Sequence, residues 1–136
     1  MLAALLFTLL LDSPQAVSWY AFLLEEGGYG RLEREKAAFL IAEDGGALTL
    51  SPWPAGAHRR ASFRGRIPER AVAVLHTHPR GETKPSENDR AQARRLGMPV
   101  IVITPEAVVA AMPDGRETVL WSGGRFGRRL IESPAG

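Results

Sequence analysis

The chain has 136 residues, 45% of them apolar and 24% charged, which is the composition of one compact domain and excludes a disordered, collagenous or coiled-coil chain. It contains no cysteine, so disulfides, thiolate zinc sites, iron–sulfur clusters and cysteine nucleophiles are excluded, and any metal is held by nitrogen and oxygen ligands. Seventeen basic against fifteen acidic residues leave a net charge of +2; the basic runs at 59–70 and 125–129 read as solvated surface, and no aromatic-and-basic interleaving marks a nucleic-acid face.

Residues 2–11 (LAALLFTLLL) form an apolar run about half as long as a membrane-spanning helix, followed by the polar break Asp12-Ser13-Pro14-Gln15-Ala16. Two readings stand for residues 1–16. Uniform apolarity opening at Met1 favours a cleavable export signal; the absence of Lys or Arg ahead of the run favours a buried core helix. Residues 17–122 then form the domain, and 123–136 a basic, Gly-rich tail. A helix is predicted over 14–26 (PQAVSWYAFLLEE), capped by Asp12 or Ser13, with proline in its first turn and Gly27-Gly28 as its stop.

Residues 36–42 (KAAFLIA) and 47–51 (ALTLS), joined by Glu43-Asp44-Gly45-Gly46, predict a β-hairpin, because Asp-Gly and Gly-Gly reach positive φ without steric cost. The stretch 52–56 (PWPAG) ends the second strand. Residues 57–70 are arginine-rich and irregular, with a short edge strand at 61–63, and His58 reads as a loop residue. The run 71–76 (AVAVLH) is a strand buried on both faces, leading into Thr77-His78-Pro79 and a polar loop at 80–85. Residues 86–96 (SENDRAQARRL) predict a helix, with Ser86 and Asp89 as a capping-box-like start and Gly97 as its stop. Strands follow at 99–104, 107–112 and 117–121, the last two joined by Pro113-Asp114-Gly115. There is no internal repeat. The order α-β-β-β-α-β-β-β predicts a single-domain α/β sandwich, one mixed β-sheet flanked by helices.

His76, His78 and Asp89 stand as H-x-H-x10-D, with Ser86 three residues before the aspartate. Side chains alternate along a strand, so residues 76 and 78 point the same way at its end. Asp89 falls in the first turn of the next helix, on one face with Ser86. Two imidazoles and one carboxylate are a catalytic rather than a structural zinc set, because three protein ligands leave the fourth tetrahedral position for water. A core histidine, a turn and a helix cap would explain each residue singly, but not their joint placement.

The stretch HTHPRGETKPSEND resembles the signature of the JAMM (MPN-plus, Mov34/PAD-1 or JAB) metallopeptidases, H-[ST]-H-P-x6-S-x-x-D, at His76, Thr77, His78, Pro79, Ser86 and Asp89. The resemblance implies a JAB/MPN, cytidine-deaminase-like sandwich with one zinc ion per chain on His76, His78 and Asp89. It also implies an oxyanion-holding role for Ser86 and an upstream glutamate as general base. In EKAAFLIA that glutamate is Glu35, with alanines in both of the family's glycine positions; Glu33, on the same side of an extended chain, is its competitor. The implied reaction is hydrolysis of a peptide or isopeptide amide, often next to a ubiquitin-like protein. A peptide or protein substrate is thus expected, without a transmembrane span or a nucleic-acid partner; oligomeric state is not legible. Two alternatives accompany it. RadC-like, DNA-associated proteins carry a similar signature, although Thr77 stands where they usually have asparagine. Non-catalytic MPN-type binding modules keep the fold, although the intact ligand set argues against one.

Overall fold

The computed structural model describes residues 14–26, 36–53, 58–59, 62–63, 66–78 and 81–122. In chain order these form α1 (Pro14–Glu26), β1 (Ala37–Ala42), β2 (Leu48–Pro52), β3 (His58–Arg59), β4 (Ser62–Phe63), β5 (Ala71–Thr77), α2 (Glu87–Leu96), β6 (Val100–Ile103), β7 (Ala107–Ala111) and β8 (Glu117–Ser122). Six strands make one sheet in the order β2-β1-β5-β6-β7-β8. The β5/β6 pair is parallel and the other four are antiparallel. Parallel neighbours need a crossover rather than a tight turn, and α2 supplies it. The sheet is therefore mixed and carries helices, as the element order predicts.

The sheet is apolar on both sides. Beneath it, Ala16, Tyr20, Leu23 and Leu24 of α1 pack on Ala38, Leu40, Ala73, Leu75, Ile101, Ile103, Val108 and Ala110. The spacing 16, 20, 23, 24 is one helical stripe, and each buried leucine on it contributes about 1.5–3 kcal/mol. On the opposite face, Ala93 of α2 joins Ala37, Phe39, Trp53, Val74, Val100 and Ala111. Adjacent residues of one strand thus serve different faces, which is why the strands read as continuous apolar runs. Val74 lies on the α2 side, so the even positions that follow it in β5 face α2 as well.

Three expectations are corrected. The strand expected at 61–63 is β4, and it pairs with β3 in a separate two-stranded ribbon, His58 opposite Phe63. His58 is consequently a strand residue: a two-residue strand satisfies its backbone only through a partner, and residues 58–59 supply it. The strand expected to run to residue 104 stops at Ile103 because the Thr104 hydroxyl closes a turn. It donates to Ala107 O at 3.0 Å and accepts from Ala107 N–H at 3.1 Å. The apolar run at 2–11 and the tail at 123–136 lie outside the described residues. Among the described residues, no helix is long and apolar enough to cross a membrane.

Candidate metal centre

β5 delivers two histidines to one point. His76 lies opposite Ala37 of β1 and Val102 of β6. One residue past the end of β5, the His78 N–H still donates to Ile103 O at 3.1 Å. The chain therefore stays extended through residue 78, and both imidazoles emerge on the α2 side. Their rings meet edge to face, with centroids 4.7 Å apart.

α2 brings the third group. Ser86 is its N-cap, with extended backbone (φ −78°, ψ 170°), and the cap is reciprocal. The Ser86 hydroxyl accepts from Asp89 N–H at 3.1 Å, and Asp89 Oδ2 accepts from Ser86 N–H at 2.7 Å. The same carboxylate faces the histidines: Oδ1 lies 2.7 Å from His76 Nε2 and Oδ2 lies 3.2 Å from His78 Nε2. Fractional exposures of 1% for His76, 7% for His78 and 1% for Asp89 put all three out of bulk water. Burial by itself would raise the Asp89 pKa. The hydrogen bonds from His76 and His78, the charge on His76 and the Ser86 N–H outweigh it and hold the carboxyl well below the usual carboxylate range.

The donor chemistry fits a cation. His78 Nδ1 lies 3.0 Å from the Glu82 carbonyl oxygen, which can only accept, so Nδ1 carries a proton and a metal would be met by Nε2. The other ring nitrogen, Nε2, faces Asp89 Oδ2 at 3.2 Å, so the imidazole is held between a carbonyl and the carboxylate with Nε2 on the side of the cluster. His76 Nδ1 is buried without a hydrogen-bond partner among the described residues. One ligand atom from each of His76, His78 and Asp89 lies within 4.8 Å of the others, close enough to hold one metal ion. Tetrahedral zinc spaces its nitrogen and oxygen ligands roughly 3.3 Å apart, near the 3.2 Å between His78 Nε2 and Asp89 Oδ2, while His76 Nε2 stands closer, 2.7 Å from the other carboxylate oxygen.

The remaining expected residues are distributed differently. Ser86 is exposed at the rim, and because its hydroxyl oxygen accepts from Asp89 N–H, its own hydrogen remains a donor. Glu35 and its competitor Glu33 lie outside the described residues. Their neighbour Lys36 is tied to the residue between the histidines: Thr77 N–H donates to Lys36 O at 2.8 Å, and Lys36 N–H donates to Thr77 Oγ1 at 2.9 Å. Two contributors went unnoticed in the sequence. Thr77, buried, stands in the sequence only as a signature position, where the Ser-or-Thr choice is the available signal for an anchoring hydroxyl. The Glu82 carbonyl belongs to the backbone and leaves no mark in the side-chain pattern.

Residues 30–121 of the 136, about two thirds of the chain, match the family described as prokaryotic homologs of the JAB domain. No curated protein matches the chain. The family match spans the whole H-x-H-x10-D set, the strands that carry it and both candidate glutamates, and the mixed sheet agrees with it; the chain belongs to the prokaryotic JAB-domain family.

Proposed function

We propose that this chain is a zinc-dependent hydrolase of peptide or isopeptide amides, with His76, His78 and Asp89 as the metal ligands. The observation that carries the reading is the convergence of three buried nitrogen and oxygen ligands in one cluster. Structural zinc sites are closed by four protein ligands, whereas three leave a position for water or substrate. A zinc ion held there supplies Lewis acidity, acidifying water toward neutral pH and polarising a carbonyl.

The protein's own residues supply the proton chemistry. Glu35 takes a proton from the attacking water and returns it to the leaving amine, acting first as general base and then as general acid. Its assignment is supported by the antiparallel pairing that sets its neighbour Lys36 against Thr77, between the two histidine ligands. Ser86 donates its hydroxyl hydrogen to the oxyanion of the tetrahedral intermediate, a contact worth about 3 kcal/mol in acyl transfer. The substrate is a peptide or protein chain; ubiquitin-like conjugates and exported peptides both belong in the first panel to be assayed.

The test is metal content together with hydrolysis. Purified wild type should carry about one zinc per chain, and His78→Ala should carry none. Glu35→Gln should keep the zinc and lose hydrolysis, while Glu33→Gln should retain it. Wild type that purifies without zinc and takes up none on addition would overturn the metal assignment. Full activity in Glu35→Gln would remove that residue from the reaction, and zinc without hydrolysis of any amide in the panel would favour a metal-binding module.

A further inference from the structure

We propose that Thr77 is a positioning residue for the general base: its hydroxyl takes the place of its own carbonyl in the β1–β5 ladder and pins the peptide unit that joins Glu35 to Lys36. The inference rests on the hydrolase reading above and deepens it, giving a task to a side chain that is neither metal ligand nor reactant.

Lys36 stands opposite Thr77, one step beyond the Ala37–His76 pair. In an antiparallel ladder, a hydrogen-bonded pair of residues exchanges both of its N–H···O=C bonds. Here the backbone makes only half of that exchange. Thr77 N–H donates to Lys36 O at 2.8 Å, but Lys36 N–H donates to Thr77 Oγ1 at 2.9 Å and not to the Thr77 carbonyl. The strand end is thereby released from β1 while β6 keeps it, since the next residue, His78, donates its N–H to Ile103 O at 3.1 Å. Thr77 marks the point where the chain parts from β1, and its hydroxyl bridges the parting.

A peptide unit is planar, so an acceptor that fixes the Lys36 N–H also fixes the α-carbon of residue 35, which belongs to the same plane. The anchor for that plane is the residue between the two histidines, so the base and the metal ligands share one register. Thr77 is buried, which leaves bulk water no access to replace its hydroxyl. Its side chain has the parity of Ala73 and Leu75, which pack on the α1 side of the sheet, away from the imidazoles. Removing the hydroxyl therefore leaves the ligands in place, and zinc binding and base placement become separable.

Thr77→Val keeps the shape of the side chain and removes the acceptor, whereas Thr77→Ser keeps the acceptor. Exchange of the Lys36 amide would be followed by NMR on the metal-free full chain. Zinc content, kcat and KM would be measured on the zinc-loaded chain, with the amide of the panel that wild type cleaves fastest. Wild type should protect the Lys36 N–H from exchange. Thr77→Val should lower that protection about tenfold or more and keep its zinc. Its kcat should fall about 100-fold with KM within about twofold of wild type, and Thr77→Ser should recover most of both losses. A merely structural role would lower the melting temperature and leave kcat per zinc-loaded chain where it was. That result, or unchanged Lys36 protection in Thr77→Val, overturns this inference alone. An unprotected Lys36 N–H in wild type does the same, even where the valine variant fails to fold. Wild type that binds no zinc or hydrolyses no amide of the panel overturns the hydrolase reading and this inference with it.

Discussion

One oxygen of Asp89 faces His76, and the other faces both His78 and the Ser86 N–H, so a single buried carboxylate serves the helix cap and the candidate ligand set together. The two duties separate by substitution. Asp89→Asn keeps an amide oxygen that can accept from the Ser86 N–H but loses the negative charge between the histidines. Asp89→Ala loses both, and leaves two buried imidazoles without the carboxylate they face. Removing one partner from a buried charged pair costs about 3–5 kcal/mol. Both variants should lose zinc, while denaturant unfolding of the metal-free proteins should place Asp89→Asn between wild type and Asp89→Ala. At this scale the clustering of His76, His78 and Asp89 was legible, because period-two alternation and a helix cap are both written in residue identities. The Glu82 carbonyl was not, since any residue at position 82 offers the same backbone oxygen.

At the level of elements, the site is the meeting of a strand end with a helix start, and the accuracy of that meeting depends on the cap. The capping box sets where α2 begins, and with it the height of Asp89 above β5. The ion pair between Arg90 and Glu117, at 3.0 Å, ties the same turn of the helix to β8. Ser86 is therefore both a structural cap and a proposed oxyanion donor, and a simple truncation would confuse the two. Ser86→Ala should cost about 0.5–2 kcal/mol through the cap and about 100-fold or more in turnover through the lost donor. Ser86→Asp restores a capping acceptor but no donor at neutral pH, so it should recover stability without turnover. Stability curves and initial rates on the two variants, each with zinc content verified, distinguish the roles; an aspartate variant with restored turnover would refute the donor assignment. The helices and most strands were legible to within a residue or two because their caps and apolar runs are local. The ends that moved did so through contacts the local pattern does not contain: Thr104 turned its hydroxyl onto Ala107, and β4 found its partner in residues 58–59.

For the whole molecule, the sheet divides the labour between its faces. α1 covers one with a continuous apolar stripe, and α2 covers the other only in part, giving up the strand ends to His76, His78 and Asp89. Which helix takes which face follows from the handedness of the β5–α2–β6 crossover and the parity of β5, neither of which the element order alone specifies. The division makes folding energy and metal binding separable yet linked. Leu40 is fully buried on the α1 side, so Leu40→Ala should cost about 2–5 kcal/mol without touching a ligand. Zinc that binds only the folded chain returns stability by mass action, about 4 kcal/mol at a free concentration a thousandfold above Kd. The two effects are of similar size, so saturating zinc should offset most of the Leu40→Ala loss, while chelator should expose it fully. In His78→Ala, zinc should leave the melting temperature where it was. Melting curves of wild type, Leu40→Ala and His78→Ala, each with zinc and with chelator, test this directly. A zinc-induced rise in the His78→Ala variant equal to that of wild type would mean that the stabilising ion binds somewhere other than the strand end.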